Sequence, residues 1–264
     1  MSRMPAWFLS HGGGPWPWVD GLREAHSGLA ASLRDIRRTS PAPSAVLIAT
    51  AHWEESAFTF SSAAKPGMIY DYGGFPPHTY AVRYPAPGHP ELAARAADLL
   101  RRHGLEARLD GQRGYDHGTF VPLSVMWPEA DIPVVQMSMR SDLDPRAHLA
   151  AGRALSALRQ EGVLILGSGL SFHNLRLMGP AGRGPSQTFD TWLEEVVACP
   201  DPHARNSKLL DWAGAPAARS AHPREEHLLP LLVAAGAAQE DLGSLVWRED
   251  DFLGGWTVSN HRFG

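Results

Sequence analysis

Apolar residues along the chain fall into short covered runs separated by helical stretches. Pro5-Ala-Trp-Phe-Leu-Ser10, Ala45-Val-Leu-Ile-Ala49 and Val163-Leu-Ile-Leu-Gly167 are continuous apolar segments of strand length, the pattern of strands buried on both faces. Ile132 to Ser138 reads the same way, with Pro133 confining it to a strand start or an edge. Ala57 to Ser61 alternates like a strand, and Phe252 to Phe263 closes the chain as a last strand. Between them, Leu22, Leu29, Leu33 and Ile36 recur at helical spacing, predicting a helix from about Trp18 to Arg38. Glu91 to His103 is a helix opened by Pro90 and closed by Gly104. Pro145 to Glu161, Thr188 to Val197 and Arg205 to Trp212 are further helices. The run from His222 to Gly236 reads as an apolar helix kinked at Pro230, whose missing N–H leaves the Glu226 carbonyl without its helical donor.

Three stretches have no regular period. Gly12-Gly-Gly-Pro15-Trp-Pro-Trp18 and Ile69 to His78 are loops rich in glycine, proline and aromatics, of the kind that line sites, and residues 176–185 read as a mobile glycine-rich loop. Strand, helix and strand in alternation predict an α/β fold: one domain over residues 1–264, with a mainly parallel central sheet flanked by helices. No repeat, low-complexity segment or linker divides it.

Several of these strands end in histidine. His11 follows the first, His52 the second and His173 the third of the apolar runs, and the crevice beyond strand carboxyl ends is the usual ligand site of open α/β sheets. Parallel neighbours would bring those ends together, and clustered imidazoles hold transition metals. His117, between Asp116 and Gly118 ahead of an apolar stretch, could aim its ring at a ligand or cap a turn. The chain holds thirteen histidines against one cysteine, Cys199, so neither an internal disulfide nor a thiolate cluster is available. Net charge is -4 with scattered cations, which argues against a nucleic-acid surface. No run of eighteen apolar residues and no export signal occurs, so the expectation is a cytoplasmic protein that neither spans a membrane nor binds nucleic acid. Gly169-Leu-Ser171-Phe-His173 has histidine where the serine-nucleophile elbow needs glycine, and Gly12 to Gly14 lacks the Lys-Ser/Thr of a P-loop.

Phe8-Leu-Ser-His11-Gly, Ala51-His52-Trp53, Asp71-Tyr-Gly-Gly-Phe75-Pro with Tyr84-Pro-Ala-Pro-Gly88, Tyr115-Asp-His117-Gly118, Gly167-Ser-Gly169 with His173-Asn174-Leu175, and Glu226-His227-Leu-Leu-Pro230-Leu succeed one another in an order that resembles the class III extradiol ring-cleavage dioxygenases, in particular their DOPA 4,5-dioxygenase-type branch. The resemblance covers nearly the whole chain. It implies His11, His52 and His227 as metal ligands, His173 as the base that takes a catechol proton, and His117 as a second imidazole on substrate or oxygen. In the wider class the third ligand is a carboxylate, so Glu225 or Glu226 is the alternative to His227. Trp53 and Phe75 would cover the ring, with His222 near the substrate; no role is assigned to His261. The resemblance further implies a catechol substrate, O2 and Fe(II), with zinc competing for the nitrogen ligands during purification. The readings set against it are a zinc hydrolase and a non-catalytic metal-binding protein of the Memo type. An oligomer is compatible with all three.

Overall fold

A computed structural model describes residues 3–264. Its strands are β1 (Ala6–Ser10), β2 (Ala45–Glu55), β3 (Phe58–Ser61), β4 (Ala107–Asp110), β5 (Val134–Arg140), β6 (Val163–Gly169), β7 (Gly243–Phe252) and β8 (Trp256–Phe263). They form one sheet in the order β4-β3-β5-β2-β6-β1-β8-β7. The centre, β5-β2-β6-β1, is parallel throughout. Antiparallel pairing is confined to β3 on β5, β8 on β1 and β7 on β8. The expected α/β class and mainly parallel sheet are therefore present. β4 and β7 were not predicted, because their exposed and half-exposed positions carry polar residues that break the apolar alternation by which strands are recognised.

The helices are α1 (Leu22–Ala25), α2 (Ser27–Thr39), α3 (Pro90–Arg102), α4 (His117–Met126), α5 (Pro145–Leu155), α6 (Arg183–Val197), α7 (Pro202–Leu210), α8 (Ala218–Ala221) and α9 (Leu229–Ala238). Their positions correct four boundaries. The single helix expected from Trp18 to Arg38 is interrupted at His26, which is buried against Trp16 with rings 5.1 Å apart. α5 stops at Leu155 and continues to Glu161 only as 3-10 turns. The expected loop at 176–185 is two 3-10 turns followed by α6, which begins at Arg183. Pro230 kinks nothing: it lies in the first turn of α9, where its absent N–H has no intrahelical acceptor to miss.

All ten residues of α9 are buried, because β6 and β1 lie beneath it and α5 covers it; such a helix is apolar all round. Alternation along β6 sets what sits on each side of the sheet. A Cβ at Gly167 or Gly169 would fall 2.2 Å from the carbonyl oxygen of Pro230 or 2.1 Å from that of His227, whereas Ser168 between them donates to the Gly118 carbonyl of α4. The two glycines thus let the His227 segment lie directly on the strand, and the Leu170 N–H donates to the His227 carbonyl at 3.1 Å. Gly169→Ala is accordingly expected to lower stability by about 1–3 kcal/mol, the usual cost of overpacking, and to weaken metal affinity with it. Thermal melts and metal titration check this; unchanged values of both would show that the segment can simply shift.

Candidate metal centre and active-site cavity

Five histidines reach one place from five different elements. His11 is the first residue beyond β1, His117 opens α4, His173 lies four residues beyond β6 and His227 stands in the turn before α9. β1 and β2 both border β6, which brings these strand ends side by side. His52 differs from expectation: β2 does not run out before it but continues to Glu55, with its register against β5 shifted between Ala49 and Glu54. A bulge of this kind re-aims side chains. It turns His52 toward the cluster while Trp53 is buried on the other side, its Nε1 donating to Glu55 at 3.0 Å and the Arg113 guanidinium 4.9 Å from its ring. α4 can press against this bulge because residue 118 is glycine; a Cβ there would lie 2.9 Å from the His52 ring.

The ring centroids lie 3.9 Å apart for His52 and His117, 4.8 Å for His11 and His52, 4.9 Å for His52 and His227, and 5.3 Å for His11 and His227. His173 stacks on His227 at 3.5 Å. Partners on the far side of each ring dictate the tautomers. His11 Nδ1 lies 2.8 Å from the Gly12 carbonyl, and His52 and His117 turn Nδ1 to the two oxygens of Asp71 at 3.4 and 2.8 Å. Glu226 Oε1 stands 3.1 Å from His227 Nδ1 and 3.4 Å from His173 Nδ1. Carbonyl and carboxylate oxygens only accept, so Nδ1 carries the proton and the Nε2 lone pairs point inward.

Two consequences bear on metal binding. His11 and His52 oppose their Nε2 atoms at 3.2 Å, an arrangement of two lone pairs that is repulsive unless a cation is shared between them. His227 Nε2 is buried with no hydrogen-bond partner among the described residues. Burial first, then the neighbouring imidazoles, holds His11 and His227 well below the usual imidazole range and His52 down at about 3. All three are neutral near pH 7, the state that ligates. The donor set fits a divalent transition metal, and the carboxylate behind the ring is the customary support of a metal-binding histidine. Burial favours a neutral Asp71, but the hydrogen bond from His117 outweighs it and the carboxylate's pKa falls; Glu226 is lowered by His173 in the same balance.

These shifts carry a stability signature. Burial also lowers His222 and His261 to about 3 and His148 to about 4. Unfolded, each takes up a proton near pH 6.5; folded, it does so only near 3 to 4, so between these limits the unfolded state binds more protons and acid drives unfolding. The metal-free protein is therefore expected to keep its full stability above pH 6.5 and to lose it progressively as pH falls from 6.5 toward 4. A melting temperature that stays flat from pH 7 to 4.5 would contradict this.

The histidines form the floor of a cavity of about 420 Å³. Its wall includes the glycine loop Gly12 to Gly14, where φ is +85° at Gly12 and +55° at Gly14 and a Cβ at residue 14 would lie 2.8 Å from the Phe75 ring. Trp16, in that loop, is buried beneath it and donates to the His11 carbonyl at 2.9 Å. Phe75 lines the cavity as expected from the sequence; Trp53 and His222 do not. His222 is fully buried instead, its Nε2 2.9 Å from the Ser171 carbonyl and its ring against Phe189 and Trp212. Of the two acids set against His227, Glu225 turns away to Arg219 at 2.9 Å and Glu226 stands behind the imidazoles. His261 is buried on Ser259 at 2.9 Å, away from the cavity wall. Sequence reasoning offered Glu226 only as a substitute metal ligand and assigned no role to Asp71, nor to the wall residues Tyr72, Leu175, Met178, Leu253 and Trp256. Asp71 and Glu226 each open one of the shared motifs, but nothing local announces that Asp71 braces His52 and His117 or that Glu226 braces His173.

Residues 5–254 match the family described as the catalytic LigB subunit of aromatic ring-opening dioxygenase. The dioxygenase TasH of Hapsidospora irregularis is 41% identical, over 96% of this chain and 84% of its own. The 4,5-DOPA dioxygenase extradiol of Beta vulgaris is 39% identical over 89% of this chain and 87% of its own. That of Escherichia coli is 35% identical over 89% and 86%. Among solved structures, an uncharacterized protein of Escherichia coli K12 superposes with a TM-score of 0.80 at 28% identity, covering 99% of this chain and all of the other.

Proposed function

Because the chain belongs to the LigB family of aromatic ring-opening dioxygenases and is a class III extradiol dioxygenase, we propose that it cleaves a catechol with O2 at a single metal ion held by His11, His52 and His227. The observation that carries this reading is that the rings of three neutral imidazoles lie within 5.3 Å of one another on the cavity floor, each braced through Nδ1. A bound ion, Fe(II) for the oxygen chemistry, would acidify the catechol hydroxyls and serve as the redox centre for O2.

The chain's own residues do the rest. His173 has its Nδ1 proton directed at Glu226, which leaves Nε2 free to take a catechol proton, and the carboxylate then stabilises the imidazolium formed. Glu226 touches both His173 and His227, so one carboxylate orients the base and a ligand together. Asp71 does the same for His117 and His52 and receives the His117 backbone N–H at 2.9 Å as well. His117 is thereby held where its Nε2 can hydrogen-bond the substrate or oxygen. Phe75 and Tyr72 close over the aromatic ring and keep water out.

Three nitrogen ligands also suit zinc. The protein is expected to emerge from purification with zinc and to gain oxygen chemistry only after exchange to Fe(II). Anaerobic iron loading followed by an oxygen-electrode screen of catechols is the test. Uptake with a yellow ring-opened product is expected with iron and not with zinc. Absence of uptake across a broad panel, at about one iron per chain, would exclude the reading. Activity with zinc and no oxygen demand would point to a metal-activated water instead.

No helix is long and apolar enough to cross a membrane. With a single cysteine, we place the enzyme in a reducing cytoplasm, acting on a small aromatic molecule with no nucleic-acid partner.

A further inference from the structure

Resting on the dioxygenase reading, we infer that the catechol taken by this cavity bears an uncharged, apolar substituent and not an amino-acid side chain. The geometry separates the cavity into two parts. Imidazoles occupy the floor, and above them Leu22, Phe75, Leu175, Met178, Leu253 and Trp256 form the wall. Among the described residues no Arg, Lys, Asp or Glu lines it. Asp71 and Glu226 stand behind the histidines and are already engaged by them. The Tyr72 hydroxyl is spent on the Thr79 carbonyl at 2.7 Å, and the Trp256 Nε1 donates away from the cavity to the Leu177 carbonyl.

A substituent that projects from a catechol seated on the floor therefore meets hydrocarbon. Leu175 and Met178 are the decisive pair. Leu175 opens the first 3-10 turn after His173 and Met178 stands between that turn and the next; both border the cavity, and they are 63% and 53% exposed. An apolar chain laid against them is removed from water together with both side chains, and each methylene so buried tightens binding about fourfold. A carboxylate and ammonium in the same place would lose hydration and find no oppositely charged partner. The main chain of Gly12 to Gly14 is the one polar stretch of the wall, and it has no acid to offer an ammonium.

Three catechols of equal substituent length separate these contributions: 4-propylcatechol, 3-(3,4-dihydroxyphenyl)propionate and DOPA. Dissociation constants would be measured anaerobically on zinc-loaded protein by calorimetry, and kcat/KM aerobically on iron-loaded protein. The expected order is propyl first, DOPA last, with at least a tenfold gap in both quantities. Leu175→Arg, on an exposed position, is expected to narrow or reverse the gap for the propionate while weakening the propyl compound. DOPA bound and cleaved as well as 4-propylcatechol would overturn the inference and leave the dioxygenase reading intact. Ring opening of none of the three, or of any other catechol, would overturn both.

Discussion

Replacing His227 by Ala is expected to reduce bound metal from about one ion per chain to a small fraction and to lower ring cleavage on the order of a thousandfold or more. Loss of a residue that merely braces a ligand already costs 10- to 100-fold in metal affinity or activity, and here the ligating nitrogen itself goes. His227 is fully buried, its Nδ1 engaged by Glu226 and its Nε2 partnerless among the described residues, so no other orientation of the ring satisfies it. The same experiment decides between two sets of ligands. His11, His52 and His117 bring their nitrogens within 4.8 Å of one another, and His227 does so with His173 and Glu226. With His227 in the metal shell, His117→Ala keeps its metal while losing rate, and His227→Ala loses both. The reverse pattern, read by metal analysis of the two purified variants, would move His117 into the shell and His227 out of it.

His173→Gln is the second large effect. A positioned general base contributes typically 10²- to 10⁴-fold, and glutamine fills the space beside His227 without a basic nitrogen. The variant should bind metal normally and lower kcat by that factor. Glu226→Gln is its companion: with the carboxylate neutral, both the stacked imidazoles it faces lose their electrostatic support, and a 10- to 100-fold fall is expected together with weaker metal binding. A His173→Gln enzyme with an unaltered rate would remove the proton-transfer role from this residue. One that had lost its metal would make it a ligand.

Much of the scaffold was legible because burial imposes periodicity. The apolar runs of β1, β2, β5 and β6 could be read as strands, since both faces of a central parallel strand are covered and every position must be apolar. The edge strands β4 and β7 were not legible, because solvent on one side relaxes that demand. Pro230 shows the limit of local rules. Its ring forbids a helix interior, but whether it breaks a helix or begins one depends on where the chain turns, and that turn is set by contact of residues 227–230 with Gly167 and Gly169.

The site divides in the same way. By itself the sequence determined the chemistry available: an α/β sheet, histidines at or beyond the ends of covered strands, no thiolate alternative, and a succession of motifs shared with a ring-opening dioxygenase family. The tertiary structure alone decided which face His52 presents, through a bulge in β2, and which acids brace which rings. It also moved Trp53 and His222 out of the cavity and left Leu175 and Met178 on its wall. The physical reason is range. Strand and helix formation depend on neighbours a few positions apart, whereas a cavity wall is drawn from residues whose proximity exists only after the sheet has ordered its strands.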